Sequence, residues 1–157
     1  MFETIIWATD GSDAADEALP FAKALAEGDD RALIVVHSKE LMLGRAGGYP
    51  VLANEQELKD KIRGQVAEAR EDGIDATFKV VTGAASHAAH MIADVAREAN
   101  ADVIVVGTRG HSPVAGLLLG SVTQRLLHIA PCPVLAVPAA KHPRAGERER
   151  ETAAVAH

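Results

Sequence analysis

Residues 103–137 read VIVVGTRGHSPVAGLLLGSVTQRLLHIAPCPVLAV, and the order of features inside them decides the fold. Val103 to Val106 is an unbroken apolar, β-branched run, as expected of a strand buried on both faces of a sheet. Glycines come next at Gly107, Gly110 and Gly120, with Ser121 directly after the last. Val122, Leu126 and Ile129 then recur at helical spacing, and Val134 to Val137 is a second buried strand. Glycine at the mouth of a strand and again at a helix start lets the backbone approach a ligand closely. The helix start adds unpaired N–H groups and a partial positive charge, so the whole has the make-up of a phosphate cradle. A plainer reading stands beside it. Ser121-Val122-Thr123-Gln124 fits the S-x-x-Q capping box, so Ser121 can cap its own helix, and each glycine can serve a turn. Three glycines and a helix start gathered round one strand end favour ligand binding.

Working outward to the N-terminus, Thr4 to Thr9 is another apolar, β-branched strand, followed by the turn Asp10-Gly11-Ser12-Asp13 with two candidate helix caps. Ala15, Leu19, Ala22 and Ala26 predict a helix, with a kink expected at Pro20, which lacks the backbone N–H. Ala32 to Val36 is the second strand, ending at His37. Residues 38 to 53 read as a long glycine-containing connection, either a functional lid or a disordered segment. Leu58, Ile62, Val66 and Ala69 mark a helix face stopped by Gly73. Thr77 to Val81 is the third strand, and its Lys79 predicts an exposed position. Ser86 is a candidate cap for a helix whose face is Ala88, Ile92, Val95 and Ala99. From about Ala139 the clustered charges and lack of a sustained apolar face predict a disordered tail, leaving residues 1–138 as the single folded domain.

Strand and helix alternate, and the connections are too long for hairpins, so the sheet should be parallel with helices on both faces. Ligands of such sheets sit outside the carboxyl ends of the strands, where the strand order reverses. Asp10 and Gly107 both lie at that edge. The chain of 157 residues, 48% hydrophobic and 24% charged, is ordinary for one globular domain. Aromatic residues are only 3%, so the core must be aliphatic. The formal net charge of −6 argues against nonspecific nucleic-acid binding but leaves a nucleotide ligand open, since local N–H groups outweigh a modest global charge. No apolar run approaches a membrane span, and the N-terminus lacks a basic region and cleavage site, so a cytoplasmic protein is expected. The single cysteine, Cys132, excludes an internal disulfide and reads as a small packed residue.

Other nucleotide templates fit poorly. No G-x-x-x-x-G-K-[ST] is present, nor a G-x-G-x-x-G after the first strand. A receiver domain would need an aspartate at the end of the third strand, which instead ends Val81-Thr82-Gly83. His87 and His90, three apart on a helix, have suitable spacing for a metal but no third ligand nearby.

Gly107, two residues, Gly110, nine residues, Gly120 and Ser121 reproduce G-x2-G-x9-G-[ST] without a gap. In this spacing the chain resembles the ATP-binding branch of the universal stress proteins. Thr9-Asp10-Gly11-Ser12 and Pro133-Val134-Leu135-Ala136-Val137 are similar to the family too, and the resemblance covers residues 1 to 138. It implies an open five-stranded parallel α/β sheet of strand order 3-2-1-4-5, Rossmann-like, with ATP and Mg²⁺ in the crevice. Adenine and ribose would lie near Ala8, Thr9, Asp10, Ser38 and Val106, and the phosphates on Gly107, Gly110, Gly120, Ser121 and Val122. Arg109, inside the cradle loop, can reach phosphate oxygens or simply stay solvated. Asp10 can accept from a ribose hydroxyl or the adenine amino group, help hold Mg²⁺, or only initiate a helix. The resemblance also implies a homodimer through the last strand, Val134–Val137, whose flanking prolines suit an edge that pairs once. With no P-loop lysine and no evident general base, weak or no hydrolysis is expected. Rival readings are a cyclic AMP or other adenine-nucleotide sensor, an adenylating or pyrophosphatase-type enzyme of the same superfamily, and a structural partner or chaperone with an empty crevice.

Overall fold

The structure is a computed structural model, and it describes residues 1–44, 47–50, 54–109 and 119–139. Five strands are parallel: β1 (Thr4–Thr9), β2 (Ala32–Gly44), β4 (Asp75–Ala84), β5 (Val103–Gly107) and β6 (Val134–Val137). They lie in the order β4-β2-β1-β5-β6, so in chain order of the parallel strands the sheet reads 3-2-1-4-5, as expected. The order reverses between β1 and β5, which pair from Ile5↔Val103 to Ala8↔Val106. Thr9 and Gly107 therefore end side by side at the carboxyl edge.

Strand alternation divides the core in two. Ile5, Trp7, Leu33, Val35, Val103 and Val105 face one side, covered by α2 (Leu19–Ala26) and α3 (Glu55–Glu71). Ile6, Ala8, Val36, Ile104 and Val106 face the other, covered by α4 (Ala88–Glu98) and α5 (Ser121–Ile129). Trp7 is fully buried, and its indole N–H donates to the Ala15 carbonyl at 3.2 Å. The outer strand β4 carries the exposed Lys79, paired with Glu98 at 3.0 Å.

Three local expectations change. Pro20 does not kink one helix but separates two. α1 (Asp13–Asp16) stops at Glu17, and α2 opens with Pro20 in its first turn, where the missing N–H is no loss. The first helix is capped by Ser12, which accepts from the Ala15 amide at 3.2 Å. Second, the connection expected from residue 38 is strand as far as Gly44. Ser38, Lys39 and Glu40 pair with Val81, Thr82 and Gly83 of β4, and Leu41–Gly44 pairs antiparallel with β3 (Gly47–Pro50). Polar side chains do not end a strand when a neighbouring strand runs on beside it. Residues 45, 46 and 51–53 of that connection lie outside the described residues, as does the expected tail from residue 140. Third, Ser86 does not cap α4; a 3-10 turn (Ala85–His87) precedes it, and Ser86 Oγ meets His87 Nδ1 at 3.1 Å.

Gly107 is required by packing. A Cβ there would come within 2.7 Å of the Ala14 carbonyl oxygen, a backbone atom of α1. Gly64, inside α3, has no heavy atom within 4 Å of a Cβ at that position. The two sites should respond in opposite directions. Gly107→Ala should destabilise by about 1–3 kcal/mol through overpacking. Gly64→Ala should stabilise by about 0.5–1 kcal/mol through helix propensity. Urea titration followed by Trp7 fluorescence measures both, and equal effects at the two sites would contradict the packing argument.

Candidate functional site

A cleft of about 240 Å³ opens outside the carboxyl ends of β1 and β5 and beside the middle of β2. Ala8 and Thr9 line it from β1, Asp10 from the turn that follows, Ser38 from β2, and Val106 and Gly107 from β5. Arg109, Gly120, Ser121 and Val122 line it from the segment after β5. All the singled-out residues thus meet round one cleft, except Gly110, which lies outside the described residues together with the rest of its loop to residue 118. His87 and His90 stand apart from the cleft lining, their rings 6.0 Å apart. Among the described residues no group of three or more His, Cys, Asp or Glu is placed to hold a metal.

At one end of the cleft is the start of α5. Its N-cap is Gly120 rather than Ser121, and no side chain caps it. The first intrahelical bond runs from the Gln124 amide to the Gly120 carbonyl at 2.9 Å. The amides of Ser121, Val122 and Thr123 consequently have no acceptor within the helix. The capping-box reading is therefore replaced: Ser121 is an exposed first helical residue, and its hydroxyl is not engaged as a cap. Thr123 is the residue that fastens the helix, donating from Oγ1 to the Gly107 carbonyl at 2.8 Å. The Gly120 amide is spent on the Thr108 carbonyl at 2.7 Å, which closes the base of the loop. An anion at this end would meet the exposed start of a nine-residue helix and, beside it, the exposed Arg109.

The β2 side of the cleft has the opposite electrical character. Asp10 accepts at Oδ1 from the Ser12 amide (3.0 Å) and hydroxyl (2.6 Å), so it does build the turn before α1 while lining the cleft. Glu40 lines the same side, and its carboxyl is held above its ordinary value of 4.5. Burial is the main cause, with the Asp10 charge adding and His37 opposing. His37 and Glu55, which line the cleft too, form a buried pair at 2.9 Å. Apolar surface from Ala8, Ala88, Ile92, Val106, Val122 and Leu126 lines the cleft between these polar groups. Ser38 Oγ is buried without a hydrogen-bond partner, a hydroxyl left for something in the cleft.

Sequence reasoning passed over His37, Glu40, Glu55 and Thr123. The only local signal was a histidine closing an apolar strand. Glu55 lies between the stretch read as a connection and the apolar face of the next helix, and nothing local marks it as buried. Cys132, partly buried, has its thiol pushed up, by burial first and then by Asp102, consistent with a packed residue.

Folding raises the Glu40 carboxyl, so its ionisation works against the folded state. The stability this group permits is present below pH 4.5 and is lost as pH rises through its folded value. Glu40→Gln should therefore melt higher than the parent at pH 7, with the gap closing below pH 4.5. A gap of equal size at both pH values in scanning calorimetry would contradict this environment for Glu40.

Comparison with known proteins agrees with the fold. The model of the universal stress protein family matches residues 1–138. A universal stress protein of Thermus aquaticus is 38% identical over 144 residues, covering 87% of this chain and 99% of the relative. The structure of a universal stress protein from Archaeoglobus fulgidus superimposes with a TM-score of 0.67 at 28% identity, covering 87% of this chain and 98% of the other. A universal stress protein solved in complex with cAMP superimposes with a TM-score of 0.64 at 28% identity, covering 88% and 98%. Among the described residues no helix is long and apolar enough to cross a membrane. The chain belongs to the universal stress protein family.

Proposed function

We propose that this chain binds ATP in the cleft at the β1–β5 switch point and acts in stress response as a nucleotide-dependent dimeric switch with weak or no hydrolysis. The observation that carries the reading is the start of α5, uncapped by any side chain and opening on a cleft with carboxylates on its β2 side. Charge orients the ligand. Phosphates belong at the α5 amides and Arg109, where the helix field and N–H groups favour negative oxygens. Donor groups of a sugar and base belong toward Asp10, Glu40 and the unpartnered Ser38 hydroxyl. The apolar lining between them suits the face of a purine. In this arrangement Ala8, Thr9, Asp10, Ser38 and Val106 take the nucleoside, and Gly107, Gly110, Gly120, Ser121 and Val122 surround the phosphates. Mg²⁺ would arrive on the phosphates, as this cation commonly does, since no protein cage for it exists among the described residues.

Dimerisation through β6 is part of the same proposal. Among the described residues β6 pairs only with β5, and Leu135 on it is 38% exposed. Pro133 and Pro138 flank the strand, and the free edge remains able to pair once with a second copy. The domain in this reading is 1–138, followed by the charged tail, in a cytoplasmic protein.

A second reading, cyclic AMP or another adenine nucleotide as the ligand, is favoured by one observation: a relative of 28% identity was solved in complex with cAMP. Denaturing purified protein and identifying released nucleotide separates the readings, and competition between ATP and cyclic AMP in one titration ranks them. ATP at about 100 times its dissociation constant should add about 2.7 kcal/mol, a melting shift of about 5–10 °C. Ser121→Pro, which removes the first free amide of α5, should shrink that shift without a large loss of stability, because Pro is tolerated at the first helical position. No released adenine nucleotide, together with no shift at millimolar ATP, would sink the proposal. Release of AMP and pyrophosphate would favour an adenylating or pyrophosphatase-type enzyme instead.

A further inference from the structure

His37 is 1% exposed, and each of its ring nitrogens meets an oxygen. Nδ1 lies 3.0 Å from the Thr9 carbonyl, and Nε2 lies 2.9 Å from Glu55 Oε1. A carbonyl oxygen can only accept, so Nδ1 carries a hydrogen. The contact on the other side then needs a proton of its own, on Nε2 or on the carboxyl. A neutral imidazole facing a bare carboxylate would set two lone pairs against each other at 2.9 Å. The two side chains therefore form a unit with one shared proton and no net charge, which is the arrangement that suits a buried site.

We propose that His37 and Glu55, through this shared proton, are a positioning pair that fixes the Thr9–Ser12 wall of the cleft. The pair joins three elements, since it takes the end of β1 at Thr9, the ring from β2, and the first residue of α3 at Glu55. The wall begins at Thr9 itself. The Gly11 amide donates to Thr9 Oγ1 at 3.0 Å, and the Ser12 amide and hydroxyl donate to Asp10 Oδ1. Gly11 has φ +77°, which glycine adopts freely but does not by itself fix, so the bonds made around it select this turn. A second hold comes from the same helix, where Lys61 Nζ donates to the Gly11 carbonyl at 2.8 Å. Glu55 approaches the wall through His37, and Lys61 approaches it directly. The wall is thus located against α3 twice. Where affinity is concerned, the proposal rests on the nucleotide reading above; the arrangement of the ring and turn does not.

The test uses the full chain with Glu55→Gln and Glu55→Ala. Glutamine can donate to a neutral Nε2 while Nδ1 keeps its hydrogen, so it retains both bonds without the shared proton. The ¹⁵N shifts of the His37 ring should show Nδ1 protonated in the parent and in Glu55→Gln, with Nε2 an acceptor in the latter. A parent ring with bare Nδ1 overturns the proposal. Hydrogen exchange at the Gly11 and Ser12 amides should accelerate about tenfold in Glu55→Ala, stay near parental in Glu55→Gln, and leave Ala93 in α4 unchanged in both. Exchange that rises equally at Ala93 means a general loss of stability and overturns the positioning role. ATP affinity, measured where each variant is folded, should fall about tenfold in Glu55→Ala and recover in Glu55→Gln. An unchanged affinity in folded Glu55→Ala also overturns it. If the parent binds no ATP, the nucleotide reading falls, while the ring pattern and amide exchange still decide the pair. If Glu55→Ala does not fold, the parent ring pattern and the Glu55→Gln exchange decide it alone.

Discussion

The close approach of Gly107 to the Ala14 carbonyl is the constraint on which the rest of the site depends. A missing side chain at the end of β5 lets the backbone of α1 settle against it. That contact brings the start of α1, and the turn before it, beside the end of β5, and no ligand is needed to explain it. The same glycine then offers its carbonyl to Thr123, so α5 begins at a defined place and angle. One residue thus locates the two elements that border the cleft. A larger residue would have to move α1, and with it the Asp10 turn, away from the end of β5.

The cleft is organised by unequal treatment of polar groups. Buried polar groups are normally paired. Among the described residues Ser38 Oγ, Gln65 Oε1 and His90 Nδ1 are buried without a partner, and of these Ser38 lines the cleft. The first amides of α5 lack a side-chain cap, as do those of α2, α3 and α4, and the start of α5 opens on the cleft. On the β2 side, Glu40 and Asp10 are near enough for one charge to disfavour the other. Each such feature is unfavourable in isolation and becomes useful when a ligand with complementary groups arrives.

The sheet was legible because its causes are local. Apolar β-branched runs, helical spacing and glycine stops belong to contiguous residues, and right-handed parallel crossovers leave few arrangements of the strands. Gly107, Gly120 and Ser121, which the glycine spacing singles out and which line the cleft, were legible for the same reason. What escaped depends on partners distant in sequence. Glu40 is strand because Gly83 lies beside it, and Glu55 is buried because His37 reaches it. Ser121 matches a capping sequence, yet Gly120 takes the N-cap position and Thr123 does the fastening, a choice made by the end of β5. Pro20 was recognised as disruptive, but whether it bends a helix or begins another depends on whether Ala15 and Ala18 continue the turn.

Trp7, the sole tryptophan, has no exposure to solvent and donates its indole N–H to Ala15. Ala15 is a cleft-lining residue, next in the chain to the Ala14 carbonyl under Gly107. The molecule consequently carries a built-in optical probe seated directly behind its site. Indole emission responds to polarity and to the strength of its hydrogen bond, so a small shift of α1 would alter colour and intensity without any label. With one tryptophan there is no second emitter of that kind to dilute the signal. The back of the cleft can be watched in the unaltered protein, during folding and during encounter with a ligand alike.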